Sequence, residues 1–133
     1  MARQQPVFGG RKWSERYTYV PALRVGDMVW ISGTTGTDDD NKITAPGDIV
    51  EQTRQIFRKF ERLLNELGGS CADIVETTDF YLTTENYTGT AAVRREFFKT
   101  CRPTSTGLQV VGLLREGALI EISATAVLGS SKP

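Results

Sequence analysis

The sequence contains no histidine. That absence excludes Ser-His-Asp triads, Cys-His pairs, imidazole general bases and most zinc sites. Cysteine is scarce. Cys71 and Cys101 lie thirty residues apart without CxxC spacing, and they read as reduced thiols packed as small hydrophobes. Net charge is absent as well, with 16 Lys plus Arg against 16 Asp plus Glu. A neutral chain lacks the basic field that draws nucleic acid or anionic membranes. No apolar run reaches bilayer length, and the opening MARQQPVFGGRKWSERY has no secretory h-region. A phosphate loop is missing too, because Gly33-Thr34-Thr35-Gly36 is too sparse to be one. The expectation is a cytoplasmic protein with no nucleic-acid or membrane partner. Its chemistry must come from carboxylates, hydroxyls, Arg, Lys, Tyr, backbone amides and water.

The 133 residues, 39% hydrophobic and 24% charged, suit one domain with a real core. Residues 1–15 are Gly-rich and polar, and are expected to form a flexible N-terminal segment. The domain is expected over 16–128. A hairpin is read with strands at about 16–24 and 28–33 around Val25-Gly26-Asp27, and a loop over 34–48. Asp48 then caps a long helix, IVEQTRQIFRKFERLLNEL. Its apolar stripe is Ile49, Ile56, Phe57, Phe60, Leu63, Leu64 and Leu67, and Gly68-Gly69 ends it. The charged set Glu51, Arg54, Arg58, Lys59, Glu61 and Arg62 reads as a solvated face. A third strand is expected over 73–83, and a second helix over about 86–99 with Val93 and Phe97 on one side. The last two strands, about 105–113 and 117–127, are read as turned by Arg115-Glu116-Gly117. The order β-β-α-β-α-β-β predicts an α+β domain, a mixed sheet with two helices on one face.

That arrangement leaves one sheet face to be explained. In the last strand, Ala118, Ile120, Ile122, Ala124 and Ala126 alternate as a face suited to helices. Leu119, Glu121, Ser123, Thr125 and Val127 form the other face, which is only semi-polar. The helix-free face is therefore expected to be covered by other subunits. Glu121 then stands in or beside an interface, where an unpaired buried carboxylate costs several kcal/mol.

Three stretches, VGDMVWISGTTG (25–36), ADIVETTDFYLT (72–83) and RPTSTGLQVVGLLREGALIEISATAV (102–127), resemble the Rid/YjgF family, the reactive intermediate deaminases, some once called L-PSP endoribonucleases. The resemblance covers about 17–128. It implies a chorismate-mutase-like fold and a homotrimer whose sheets line an inner barrel, with ligand clefts between subunits. It also implies hydrolysis of amino-acid-derived enamines and imines to ketoacids and ammonia, without metal or cofactor. Glu121 matches the family carboxylate that positions or activates water. Ser32 matches a ligand-contacting serine with Gly33 beside it, and Tyr19 matches the first-strand tyrosine near the site.

Two departures stand out. The family's Pro-Ala-Arg before the fourth strand, whose Arg clamps the substrate carboxylate, is here Pro103-Thr104-Ser105. The family Asn in the second helix is Ala91. A hydroxyl cannot replace a bidentate guanidinium. Ser105 and Thr106 remain either strand residues or replacement contacts. Arg102, freed from strand alternation if it lies in a loop before Pro103, is a candidate anchor, as are Arg16, Arg24 and Arg115.

Each candidate keeps a second reading. Glu121 either fixes trimer register or activates water. Ser32, Gly33 and Thr34 either end a strand or face a ligand. Tyr17 and Tyr19 either pack or line the site, and Trp13 and Trp30 read as interface or core aromatics. The expected function is cofactor-free deamination of a reactive enamine or imine in an inter-subunit cleft. Glu121 holds water there, and Tyr19, Ser32, Gly33, Ser105, Thr106 and Arg102 surround the substrate. The alternative is a non-catalytic trimer that binds a small metabolite in the same cleft.

Overall fold

The computed structural model describes residues 3–133. Its strands are β1 (Gln5–Val7), β2 (Ala22–Val25), β3 (Met28–Thr35), β4 (Ile74–Tyr81), β5 (Thr104–Gln109) and β6 (Ile120–Val127). Its helices are α1 (Ile49–Glu66) and α2 (Thr90–Phe98). The strands form one sheet in the order β1-β2-β3-β6-β4-β5. Only β4 and β5 are parallel; the other neighbours are antiparallel. The α+β architecture is that expected, with one strand added in front.

The N-terminal strand was missed because three residues, one of them Pro6, carry too little alternation to read. Val7 nevertheless buries its side chain, and the segment pairs with β2. The expected strand over 16–24 shrinks to Ala22–Val25, since Trp13 through Tyr19 fold into a loop. Arg115-Glu116-Gly117 does not close a hairpin. β4 lies between β5 and β6, so the two last strands never pair.

The capping signals explain α1. Asp48 is extended, at φ −120°, and its Oδ1 accepts from Glu51 N at 3.1 Å. At the other end Gly68, with φ +80°, donates to Asn65 O, while Gly69 donates to Leu64 O. This is the Schellman pairing that Gly-Gly invites. Ile49, Ile56, Phe57, Phe60, Leu63 and Leu64 are buried against the sheet. The core is completed by Val29, Ile31, Val93, Phe98, Ile120 and Ile122. α2 lies against α1, with Phe97 stacked on Phe57 at 5.6 Å and Phe98 edge-on at 5.2 Å.

Alternation along β6 is regular. Ile120, Ile122, Ala124 and Ala126 are buried under the helices, while Glu121, Ser123, Thr125 and Val127 are half-buried on the other side. Asp79 of β4 pairs in register with Ile122, so it stands on the helix side with 0% exposure. It survives there because Arg94 of α2 clamps it with two nitrogens, and Tyr87 Oη donates to it at 2.6 Å. Burial and this carboxylate together push the Tyr87 phenol up.

The helix-free face carries Met28, Trp30 and Leu108, all exposed. Along the far edge, β5 is exposed at all six positions and has a strand neighbour on one side only.

Candidate functional site

A β-bulge makes the site. Ile31 of β3 pairs with Ala124 of β6, but Thr34 pairs with Ile122 and Thr35 with Glu121. Three steps on β3 match two on β6, so one residue is extra at Ser32-Gly33. Before the bulge, Val29 and Ile31 face the helices. After it, Thr34 takes the helix-side row and Thr35 pairs with Glu121. The chain is re-aimed at the point where the Glu121 carboxylate needs room.

Gly33 supplies that room. A methyl group on Gly33 would stand 2.7 Å from Glu121 Oε2. No side chain fits there unless the carboxylate moves, so the glycine is required for space rather than for φ. Ser32 is anchored on both its backbone and its side chain. Its N–H donates to Pro21 O at 2.9 Å, and its hydroxyl donates to Val20 O at 2.6 Å. With its proton committed, the Ser32 oxygen can meet a ligand only as an acceptor.

These residues line a cleft of ≈ 350 Å³. Its walls come from the N-terminal loop with Trp13, Tyr17 and Tyr19, from β3 at Ser32, Gly33 and Thr34, from α1 at Lys59 and Arg62, and from Arg115 and Glu121 near β6. The three aromatic rings of the loop pack on one another with centroids 4.9–5.5 Å apart. Trp13 Nε1 donates to Tyr19 O at 2.8 Å, which fixes the cluster. Tyr19 nevertheless stays half exposed.

Lys59 overturns the expectation of a solvated helix face. Its stem is covered, and its ammonium donates to Thr34 Oγ1 at 2.6 Å, Thr35 O at 2.8 Å and Thr37 Oγ1 at 2.9 Å. All three donors are used and every acceptor is neutral. Burial, aided by Arg11 and Arg115, depresses its pKa from 10.5 to about 8. Gln52 and Gln55 lie on the same side of α1. Gln52 Nε2 donates to Ala45 O and Gly117 O, and its Oε1 accepts from Leu119 N; Gln55 donates to Thr37 O. Gly36 admits this close approach, since a methyl there would meet Gln52 O at 2.8 Å. Residues 52, 55 and 59 follow helical spacing beside the apolar stripe. That polar row was the available signal for them in the sequence.

The other charges sort simply. Arg11 and Arg62 both reach Asp39, at 3.5 and 3.0 Å. Arg115 makes no ion pair among the described residues. Arg16 and Arg24 do not line the cleft, and Arg24 Nε donates to Gly26 O. Among the described residues, no group of three His, Cys, Asp or Glu side chains could hold a metal ion, and no helix is long and apolar enough to cross a membrane.

Of the residues singled out from sequence, Glu121, Tyr19, Ser32 and Gly33 meet at the cleft. Arg102, Ser105 and Thr106 do not line it within one chain. They lie on or just before β5, at the opposite edge of the sheet from β1 and β2. Thr106 is in register with Thr78 and Ser123, on the helix-free face; Ser105 is in register with Thr77 and Ala124, on the helix side.

Comparison with known proteins identifies the family and the fold. The family model described as Endoribonuclease L-PSP matches residues 12–128. The chain belongs to the Rid/YjgF family. A 3-aminoacrylate deaminase, RutC of Acinetobacter baylyi, is 33% identical over 108 residues, covering 81% of this chain and 85% of that protein. A solved structure of a member of the YjgF/YER057c/UK114 family from Mycobacterium tuberculosis is 29% identical, with a TM-score of 0.78 over 95% of this chain and 100% of that one. RidA from an Antarctic Psychrobacter is 22% identical with a TM-score of 0.79, over 93% of this chain and 99% of that one, and so shares the fold.

Proposed function

We propose that this Rid-family protein hydrolyses a reactive enamine or imine to a carbonyl compound and ammonia, in a cleft completed by a second copy of the chain. The observation that carries the reading is the Glu121 carboxylate at the cleft wall, given space by Gly33 in the β3 bulge. The 3-aminoacrylate deaminase relative supports the reaction class.

The balance is simple. Protonation of the enamine carbon by solvent gives the protonated imine. Water held by Glu121 adds to the imine carbon, and the carboxylate takes a water proton as the C–O bond forms. That proton then passes from Glu121 to nitrogen, and ammonia leaves as the carbinolamine hydroxyl gives its proton back to solvent and the carbonyl forms. One water is consumed, and nothing is oxidised or reduced. Ser32 Oγ accepts a hydrogen bond from the substrate nitrogen, the role left open to it by its bond to Val20 O.

A homotrimer supports the site. β5 is an edge strand exposed along its length, and edges of this kind are normally covered. Trp30, Met28 and Leu108 are exposed on the helix-free face, and Val111 and Leu114 are bare in the loop beyond β5. Covering these brings a neighbour's β5, with Ser105, Thr106 and Arg102, toward the Glu121 cleft. The family name endoribonuclease is a poorer guide, because a neutral chain without histidine or a basic stripe has little to offer RNA.

Ser105 favours one competing reading. It stands where the family carries its carboxylate-clamping Arg, so the cleft could bind a metabolite without turning it over. Light scattering at micromolar concentration and a screen for ammonia release from freshly generated imines separate these readings. A trimer that releases ammonia supports deamination. A trimer that binds but releases none supports the metabolite binder, and a monomer overturns the shared cleft.

A further inference from the structure

The cleft holds two features that deamination alone does not use. One is the packed ring cluster of Trp13, Tyr17 and Tyr19, fixed by the Trp13 Nε1 bond to Tyr19 O. Tyr17 and Tyr19 are 44% and 52% exposed, so ring surface is open along the cleft. The other is Arg115. Of the five cationic side chains on the cleft wall, three are occupied: Arg11 and Arg62 by Asp39, and Lys59 by three threonine oxygens. Lys12 and Arg115 have no side-chain partner among the described residues; Lys12 is a point charge, whereas Arg115, which shares the cleft wall with Glu121, presents the planar fork that matches a carboxylate.

We propose that the cleft selects a planar conjugated carboxylate, with its π-system against the Trp13–Tyr17–Tyr19 cluster and its carboxylate on Arg115. This rests on the deamination reading and names the substrate class: an enamine or imine of an extended unsaturated or aromatic amino acid. A guanidinium pairs a carboxylate in two parallel hydrogen bonds, which Ser105 cannot do. Aromatic walls reward a flat apolar body over a short aliphatic one.

The test is calorimetric titration of the full chain with three inert probes: trans-cinnamate, neutral cinnamamide and short propionate. Cinnamate is expected to bind roughly tenfold more tightly than either. Trp13→Ala should erase the preference over propionate. Arg115→Gln should erase the preference over cinnamamide, and Arg115→Lys should restore part of it. If Trp13→Ala fails to fold, Tyr17→Ala serves in its place. Equal binding of cinnamate and propionate, or preferences untouched by these variants, overturns the proposal. Ammonia release from the phenylalanine-derived imine, followed in the same samples, reads the parent hypothesis separately. Selective binding without ammonia sinks deamination and leaves the subsite standing, whereas ammonia without selectivity does the reverse.

Discussion

Gly33 and Glu121 are packed so closely that the place of a Gly33 side chain is taken by the Glu121 carboxylate, 2.7 Å from where its first carbon would sit. The bulge in β3 creates this contact. It links backbone irregularity to the one carboxylate on the helix-free row of β6. Gly33→Ala is therefore expected to displace the carboxylate while leaving the fold intact. Ammonia release should fall by about two orders of magnitude, the scale of a misplaced reacting group. Thermal unfolding should shift little, because Gly33 is exposed and its φ is not positive.

Lys59 predicts a pH dependence of stability. Its folded pKa, about 8, lies below its ordinary 10.5, so the unfolded chain binds more protons between these values. Stability contributed through this group rises as pH increases across that window and is flat below it. Urea unfolding at pH 7.5, 9 and 10 should show the rise in the parent. Lys59→Met should lack it. An identical slope in both would mean that the ammonium is better hydrated than its three threonine contacts indicate.

The Asp79–Arg94 pair predicts non-additivity. Asp79 is wholly buried, and Arg94 lies over it with Tyr87 donating from the side. Arg94→Met leaves a buried carboxylate with one neutral donor and should cost about 3 kcal/mol in denaturant unfolding. Adding Asp79→Leu should recover part of that loss, because the stranded charge goes too. Neither residue lines the cleft, so kcat in folded samples should hold.

The two cysteines should differ in reactivity. Cys71 is fully buried, its Sγ donates to Phe57 O at 3.6 Å, and burial pushes its thiol far up. Cys101 is half-buried. A thiol reagent should titrate at most one equivalent in the native protein and two after denaturation.

How much of this was legible in the sequence depends on what each element leaves behind in it. The helix α1 was, because Asp48, the stripe from Ile49 to Leu64 and Gly68-Gly69 each carry a local physical rule. Glu121 was, because strict alternation along β6 made it an exception on its own face. Lys59 was not. Charged helix residues are usually solvated, and only the loop at Thr34–Thr37 folding over α1 converts it into a buried donor. The hairpin expected between the last two strands fails for a similar reason. The choice of β4 rather than β5 as the partner of β6 is decided by a parallel pairing that no local turn signal encodes. Ser105, Thr106 and Arg102 belong to β5 and its approach, and within one chain they lie away from the cleft.

The central claim is that Glu121 handles the water that splits the imine. The direct measurement is the initial rate of ammonia release from freshly generated amino-acid imines, small and aromatic, by the parent and by Glu121→Gln at equal protein concentration. The glutamine keeps shape and hydrogen bonding but cannot accept the water proton. The account predicts a loss of about 10²–10⁴-fold with binding of inert carboxylates retained. An unchanged rate in Glu121→Gln would contradict it.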